Sequence, residues 1–212
     1  MSKPLFILET LENMFPHATV ELHHKNHFEL LIAVVLSAQT TDVSVNKVTP
    51  FLFEKYPSAY DLSLAEQKDV ESLIQTIGLY RNKAKNIIEL SKRLVDLYQG
   101  EVPQKREELE SLPGVGRKTA NVVLSNAFGI PAIAVDTHVE RVSKRLGLAG
   151  LDDSVLTVEE KLMKKFPKSS WQKVHHQLIF FGRYHCLAKK PKCEICPLYD
   201  VCVYEHKISK DR

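Results

Sequence analysis

The chain has 212 residues, of which 44% are hydrophobic and 26% charged, with only 8 Gly and 10 Pro; this balance excludes a mainly disordered or fibrous protein and allows one to two compact units. The longest unbroken apolar run, Leu30 to Leu36, falls far short of the roughly 18 residues that cross a bilayer, and Glu9 and Glu12 stand where a secretory signal needs an apolar core, so a soluble, cytoplasmic protein is expected. The net charge of +3 hides a split: residues 161–212 hold 12 Lys/Arg against 4 Asp/Glu, and residues 1–160 hold 17 against 22, so the basic end is either a surface for a polyanion or a solvated lysine-rich tail.

Helical periodicity runs through nearly the whole chain. Phe28 to Gln39 is apolar on most sides and reads as a central helix. Ser63 followed by Glu66 has capping-box spacing and predicts a helix start near 64. Ala84, Ile87, Ile88, Ser91, Leu94, Val95 and Tyr98 form one helical face, with Gly100 as the expected C-cap. Gly129, Ile130 and Pro131 interrupt two helical patterns and predict a seam near 130. Thr137 and Glu140 predict a helix start near 138, and Trp171, Val174, Leu178 and Phe181 mark a further helix. No hairpin signal or sustained alternation argues for a strand, so the fold class is all-α.

The informative centre is Leu112-Pro113-Gly114-Val115-Gly116-Arg117-Lys118-Thr119-Ala120. A helix-prone segment, Gln104 to Glu110, leads in and an amphipathic one, Lys118 to Phe128, leads out, so Gly114 and Gly116 occupy a tight turn in a helix-hairpin-helix, about 105–128. Glycines permit positive φ and close approach, and the free N–H groups of the next helix start form a nest that suits a DNA phosphate. A nucleotide-binding P-loop is excluded, because Arg117 separates Gly116 from Lys118 and no strand precedes the motif. The alternative is an ordinary helical corner with Lys118 solvated.

The four cysteines, Cys186, Cys193, Cys196 and Cys202, form a C-x6-C-x2-C-x5-C run within the basic quarter. A disulfide framework does not suit a chain of this length that is not secreted. One C-x-x-C flanked by a single Cys on either side, in a continuous loop, favours a four-iron cube over a zinc site, with unliganded structural cysteines third.

Five segments together resemble the endonuclease III family of DNA glycosylase/lyases: LSAQTTD at 36–42, GLYRNKA at 78–84, LPGVGRKTANVV at 112–123, AVDTHVERVSKRLG at 134–147 and the cysteine loop. The resemblance implies base-excision repair: removal of oxidised, ring-saturated or fragmented pyrimidines from double-stranded DNA, then cleavage 3′ to the abasic site. It implies two helical domains with the active site in the cleft between them. One is a six-helix barrel, 20–130, containing the hairpin; the other joins 1–19 to 131–212 and carries a [4Fe-4S] cluster on 186–202. A monomer without membrane contact, associated with the nucleoid in a bacterium, is the expected form.

Residue by residue, the resemblance makes Lys118 the nucleophile. An amine that attacks C1′ leaves an iminium able to undergo β-elimination, which water cannot do. With a reference pKa of about 10.4 such an amine is almost wholly protonated at neutral pH, so the helix N-terminus, Arg117 and burial are expected to push it down. Asp136 matches the family's carboxylate, suited to stabilising positive charge on the sugar and assisting proton transfer; taken alone it reads first as the N-cap of the next helix, and paired with the Lys118 motif it reads as catalytic.

A flipped base must be replaced in the stack. Gln39 matches the family's polar wedge and Leu79 its apolar wedge, although taken alone they are a helix-end residue and a loop residue. Thr40 departs from the more familiar motif, which has Ala. His138 stands near the carboxylate and could line the pocket or satisfy local hydrogen bonds. Closing the cysteine loop would hold Lys189, Lys190 and Lys192 on one projection suited to phosphates, or merely keep it soluble.

Overall fold

The structure is a computed structural model that describes residues 2–208; Lys210 and Arg212, counted in the basic end, lie outside the described residues. The helices are α1 (Lys3–Met14), α2 (His27–Leu36), α3 (Asp42–Lys55), α4 (Ala59–Ser63), α5 (Gln67–Ile74), α6 (Tyr80–Tyr98), α7 (Arg106–Glu110), α8 (Arg117–Phe128), α9 (Thr137–Arg145), α10 (Val155–Lys165) and α11 (Trp171–Phe180). A π-helical turn, Phe181–His185, extends α11. Among the described residues there is no strand, so the fold is all-α. The chain forms two units: Glu21–Ile130, and a second that joins the segment up to Val20 with the segment from Pro131 onward.

In the Glu21–Ile130 unit, α2 is the central rod. Every residue from Phe28 to Leu36 is buried, and the helix packs on α3, α6 and α8. Its start is fixed by Asn26, whose side chain accepts from the Glu29 N–H at 2.9 Å, while Glu29 accepts from the Lys25 N–H at 2.7 Å. Such a cap is worth about 1 kcal/mol. The helix stops at Leu36, short of the expected Gln39, because Gln39 adopts a left-handed conformation (φ 53°) that a helix cannot propagate. The long helix α6 buries Ala84, Ile87, Ile88, Ser91 and Leu94 along the predicted stripe. Its cap is Gln99 rather than Gly100; both are left-handed, and the Gly100 N–H returns to the Leu94 carbonyl at 2.9 Å.

One predicted start is wrong. No helix begins at Leu64: α4 ends at Ser63 and α5 begins at Gln67. The cap belongs to Ser58, which accepts from the Asp61 N–H, whereas the Ser63 hydroxyl donates back to the Tyr60 carbonyl at 2.7 Å and so cannot open a new helix.

In the other unit, Ile7 and Leu11 of α1 join Val139 and Val142 of α9, Val158 and Leu162 of α10, and Val174 and Leu178 of α11 in one apolar core. Each fully buried Val or Leu contributes about 1.5–3 kcal/mol. Cys186, Cys196 and Cys202 pack against its edge.

Candidate active site and metal centre

In the Glu21–Ile130 unit, α7, a turn through Gly114 and Gly116, and α8 form the hairpin. Gly114 has φ +78°, and a Cβ there would stand 3.1 Å from Val35 and 3.2 Å from Asn86; both conformation and close packing exclude a side chain. Gly116 differs from the expectation of positive φ. It is extended (φ −102°, ψ 179°), a conformation open to any residue, and nothing lies within 4 Å of a Cβ placed on it. What Gly116 leaves is clear space over the start of α8, which has no side-chain cap. The first-turn N–H groups of such a helix favour an anion. Arg117 and Lys118 open α8 and both are exposed. The burial expected for Lys118 is therefore not seen.

Two further predicted residues stand on left-handed backbone in the same unit. Gln39 (φ 53°) follows α2, and Leu79 (φ 58°) is the N-cap of α6 with 58% of its surface exposed. For a residue with a Cβ this conformation costs about 1–2 kcal/mol. The two turns adjoin: a Cβ on Gly78 would lie 4.0 Å from both the Gln39 carbonyl oxygen and the Thr40 hydroxyl.

The other unit holds Asp136 and His138. Asp136 is the N-cap of α9, one residue earlier than Thr137 of the capping-box reading; its Oδ1 accepts from the His138 N–H at 2.9 Å and the Val139 N–H at 2.8 Å. Burial pushes the His138 imidazole below its usual range, against the pull of Asp136. Its Nδ1 lies 3.3 Å from an Arg141 nitrogen that also donates to the carbonyls of Gly182 (2.9 Å) and Cys186 (3.2 Å). Gly182 is required here, because a Cβ would come within 2.9 Å of the His138 Cβ.

All four cysteines are free thiols, and all line one small cavity together with His185 and Arg145. Burial pushes the Cys186 thiol up and the Cys196 thiol up to about 11, with the other cysteines pushing Cys196 the same way. Gathering four sulfurs as thiolates needs a cationic core. Four cysteines on one cavity supply the thiolate set that an iron–sulfur core takes. His185 adds a buried Nε2 with no hydrogen-bond partner among the described residues. The donor set fits a [4Fe-4S] cluster.

Arg145 is the site residue the sequence reading missed. It donates to Cys186 Sγ at 3.4 Å and to the carbonyls of Leu187 (2.7 Å) and Ala188 (3.1 Å), and its guanidinium stacks over Tyr204 at 4.1 Å. Its own carbonyl accepts from Cys202 Sγ and from the Val203 N–H. The available signal was helical: Arg141 and Arg145 lie four residues apart on one face of α9. Lys189, Lys190 and Lys192 are exposed on the loop this clamp closes, and the Lys192 N–H bonds the His185 carbonyl at 3.1 Å.

Residues 32–168 match the family model of the HhH-GPD superfamily of base excision DNA repair proteins, and residues 186–202 match the iron–sulfur binding domain of endonuclease III. Endonuclease III of Bacillus subtilis is 59% identical over 197 residues, spanning 93% of this chain and 90% of its own. That of Escherichia coli K12 is 49% identical over 207 residues, 98% of each. Among solved structures, a trapped endonuclease III–DNA covalent intermediate is similar with a TM-score of 0.91 at 59% identity, covering 96% of each chain. A thermostable thymine-DNA glycosylase follows with 0.88 at 26% identity, covering 97% of this chain and 98% of its own.

Proposed function

The chain belongs to the endonuclease III family of base-excision DNA repair proteins, and from that premise we propose that Lys118 is its nucleophile and Asp136 its catalytic carboxylate. The enzyme is a DNA glycosylase with abasic-site lyase activity, acts on duplex DNA and carries a [4Fe-4S] cluster. Its substrates in this reading are oxidised, ring-saturated or fragmented pyrimidines, and its working place is the cytoplasm, at the nucleoid in a bacterium. Among the described residues no helix is long and apolar enough to cross a membrane.

The neutral Lys118 amine attacks C1′ as the bond from C1′ to the base breaks, and the base departs with a proton. Loss of the amine proton and opening of the sugar ring give an iminium between Nζ and C1′. Removal of a C2′ proton then expels the 3′ phosphate, and water hydrolyses the iminium to release Lys118. Asp136 stabilises the positive charge on the sugar and carries protons in the ring-opening steps. Its Oδ1 is held by two backbone N–H groups, which fixes the carboxylate and leaves Oδ2 outside the cap. His138 stands two residues on, in the first turn of α9, and lines the pocket in this reading.

Gly114, Gly116 and Arg117 serve a DNA phosphate at the uncapped start of α8, a sequence-independent contact that positions the duplex. Gln39 faces the orphaned partner base and Leu79 fills the gap left by the flipped nucleotide. The bound cluster supplies a rigid cross-link of the 186–202 loop, on which Lys189, Lys190 and Lys192 meet phosphates.

The observation that carries this reading is the exposed Lys118 on the first turn of a helix whose start has neither a side-chain cap nor a covering side chain. Incubation with abasic-site DNA and borohydride tests it. The wild type forms a covalent adduct, Asp136→Asn forms it in reduced yield, and Lys118→Ala forms none; an adduct of undiminished yield in Lys118→Ala assigns the chemistry elsewhere.

A further inference from the structure

Lys83 is a lysine on the first turn of α6 with only 5% of its surface exposed. Its Nζ donates to the Thr40 hydroxyl at 2.6 Å. Burial holds its pKa below the usual lysine range, and no carboxylate among the described residues offsets that burial. A buried ammonium with one neutral acceptor is a poor way to stabilise a fold, since a methionine of similar length would fill the space without the desolvation cost. What the ammonium does achieve is local. Thr40 directly follows the left-handed Gln39, Lys83 lies four residues after the left-handed Leu79, and the Lys83 N–H bonds the Leu79 carbonyl at 3.0 Å. The acceptor is also the residue at which this chain departs from the family motif, and an alanine there could not accept the bond.

We propose that Lys83 is a positioning residue: its bond to Thr40 ties the Gln39 turn to the Leu79 turn, so that a polar and an apolar probe enter the duplex at fixed spacing. The inference rests on the reading of those two residues given above. Each turn is held by backbone that disfavours its own conformation, and a group that links the two restricts their joint geometry. Lys83 touches no reacting atom; it acts through Gln39 and Leu79.

The experiment compares abasic-site oligonucleotides, single-stranded and annealed to their complement, by rate of strand cleavage with the full-length cluster-loaded enzyme. Separating a base from its partner matters only in the duplex. A bond to a charged group being worth enough to change a rate about tenfold, Lys83→Met and Thr40→Ala each lower the duplex-to-single-strand ratio about tenfold. The double variant goes no further than either single one. Thermal melting of Lys83→Met is unchanged or raised, an outcome a merely structural lysine does not give; should that variant fail to fold, Thr40→Ala carries the test. Leu79→Ala and Gln39→Ala are run beside them. If these two lower the ratio and the Lys83 and Thr40 variants do not, the link is refuted and the probe reading stands. If none of the four lowers it, the probe reading falls and the link with it.

Discussion

In the unit spanning Glu21–Ile130 the candidate groups stand in solvent on backbone that does the positioning: Gln39 and Leu79 on left-handed turns, Lys118 on the uncapped first turn of α8. In the other unit, outside the exposed lysines of the cysteine loop, the candidate groups are committed to partners. Asp136 caps α9, Arg141 joins His138 to the Cys186 carbonyl, and Arg145 binds the cysteine loop at both ends. The difference separates two ways of preparing a site. Exposed groups on a shaped backbone can be removed with little loss of stability, whereas committed groups carry stability and chemistry together.

The largest effect that tests this contrast is at Lys118. Because the side chain is exposed, Lys118→Ala changes unfolding stability by no more than about 0.5 kcal/mol, as surface substitutions do. The lyase rate falls on the order of a thousandfold or more, as when the nucleophile of a concerted site is removed. Denaturant unfolding beside a strand-cleavage assay reads both quantities. A variant that loses stability in proportion to activity breaks the contrast.

How much of this was legible in the sequence follows the same line. The hairpin, the stripe of α6 and the cysteine run are signals between residues a few positions apart, and they place α8, α6 and the cluster loop directly. The commitments of the second unit are not of that kind. Arg141 reaches Gly182 across 41 residues, and the Arg145 carbonyl meets Cys202 across 57; no spacing rule links such pairs. The false start at Leu64 has a local cause. Ser58–Asp61 and Ser63–Glu66 carry the same capping signature, and only the direction of the Ser63 hydroxyl, back to Tyr60, decides between them. The left-handed Gln39 and Leu79 had no conformational signal, since neither is Gly, Asn or Asp; they were reached through motif resemblance alone.

A second effect sharpens the comparison from the buried side. His176, in α11 with 5% of its surface exposed, has its pKa pushed down from 6.5 to about 4 by burial, with Arg183 adding to it. Between those two values the unfolded chain holds a proton that the folded chain refuses, so the contribution is complete above pH 6.5 and is lost as pH falls toward 4. The loss amounts to about 3 kcal/mol at its end. Thermal melts from pH 7 to 4 show it as a fall in Tm that His176→Leu flattens, while other titrating groups act on both proteins alike. A variant whose Tm falls as steeply as the wild type's places the acid sensitivity elsewhere.

The smallest effect separates the two roles of Asp136. Asparagine accepts backbone N–H groups as well as aspartate does, so Asp136→Asn retains the cap over His138 and Val139 and its stability stays within a few tenths of a kcal/mol of the wild type. Alanine removes the cap and costs about 1 kcal/mol, which in a protein of this size is a Tm fall of about 2–4 °C. The two variants are nevertheless alike in chemistry, because both lack the charge that stabilises the developing sugar cation. Melting curves distinguish them and glycosylase rates do not. If Asp136→Asn instead keeps the wild-type rate, the carboxylate is a cap alone, and the committed unit supplies stability without chemistry at this position.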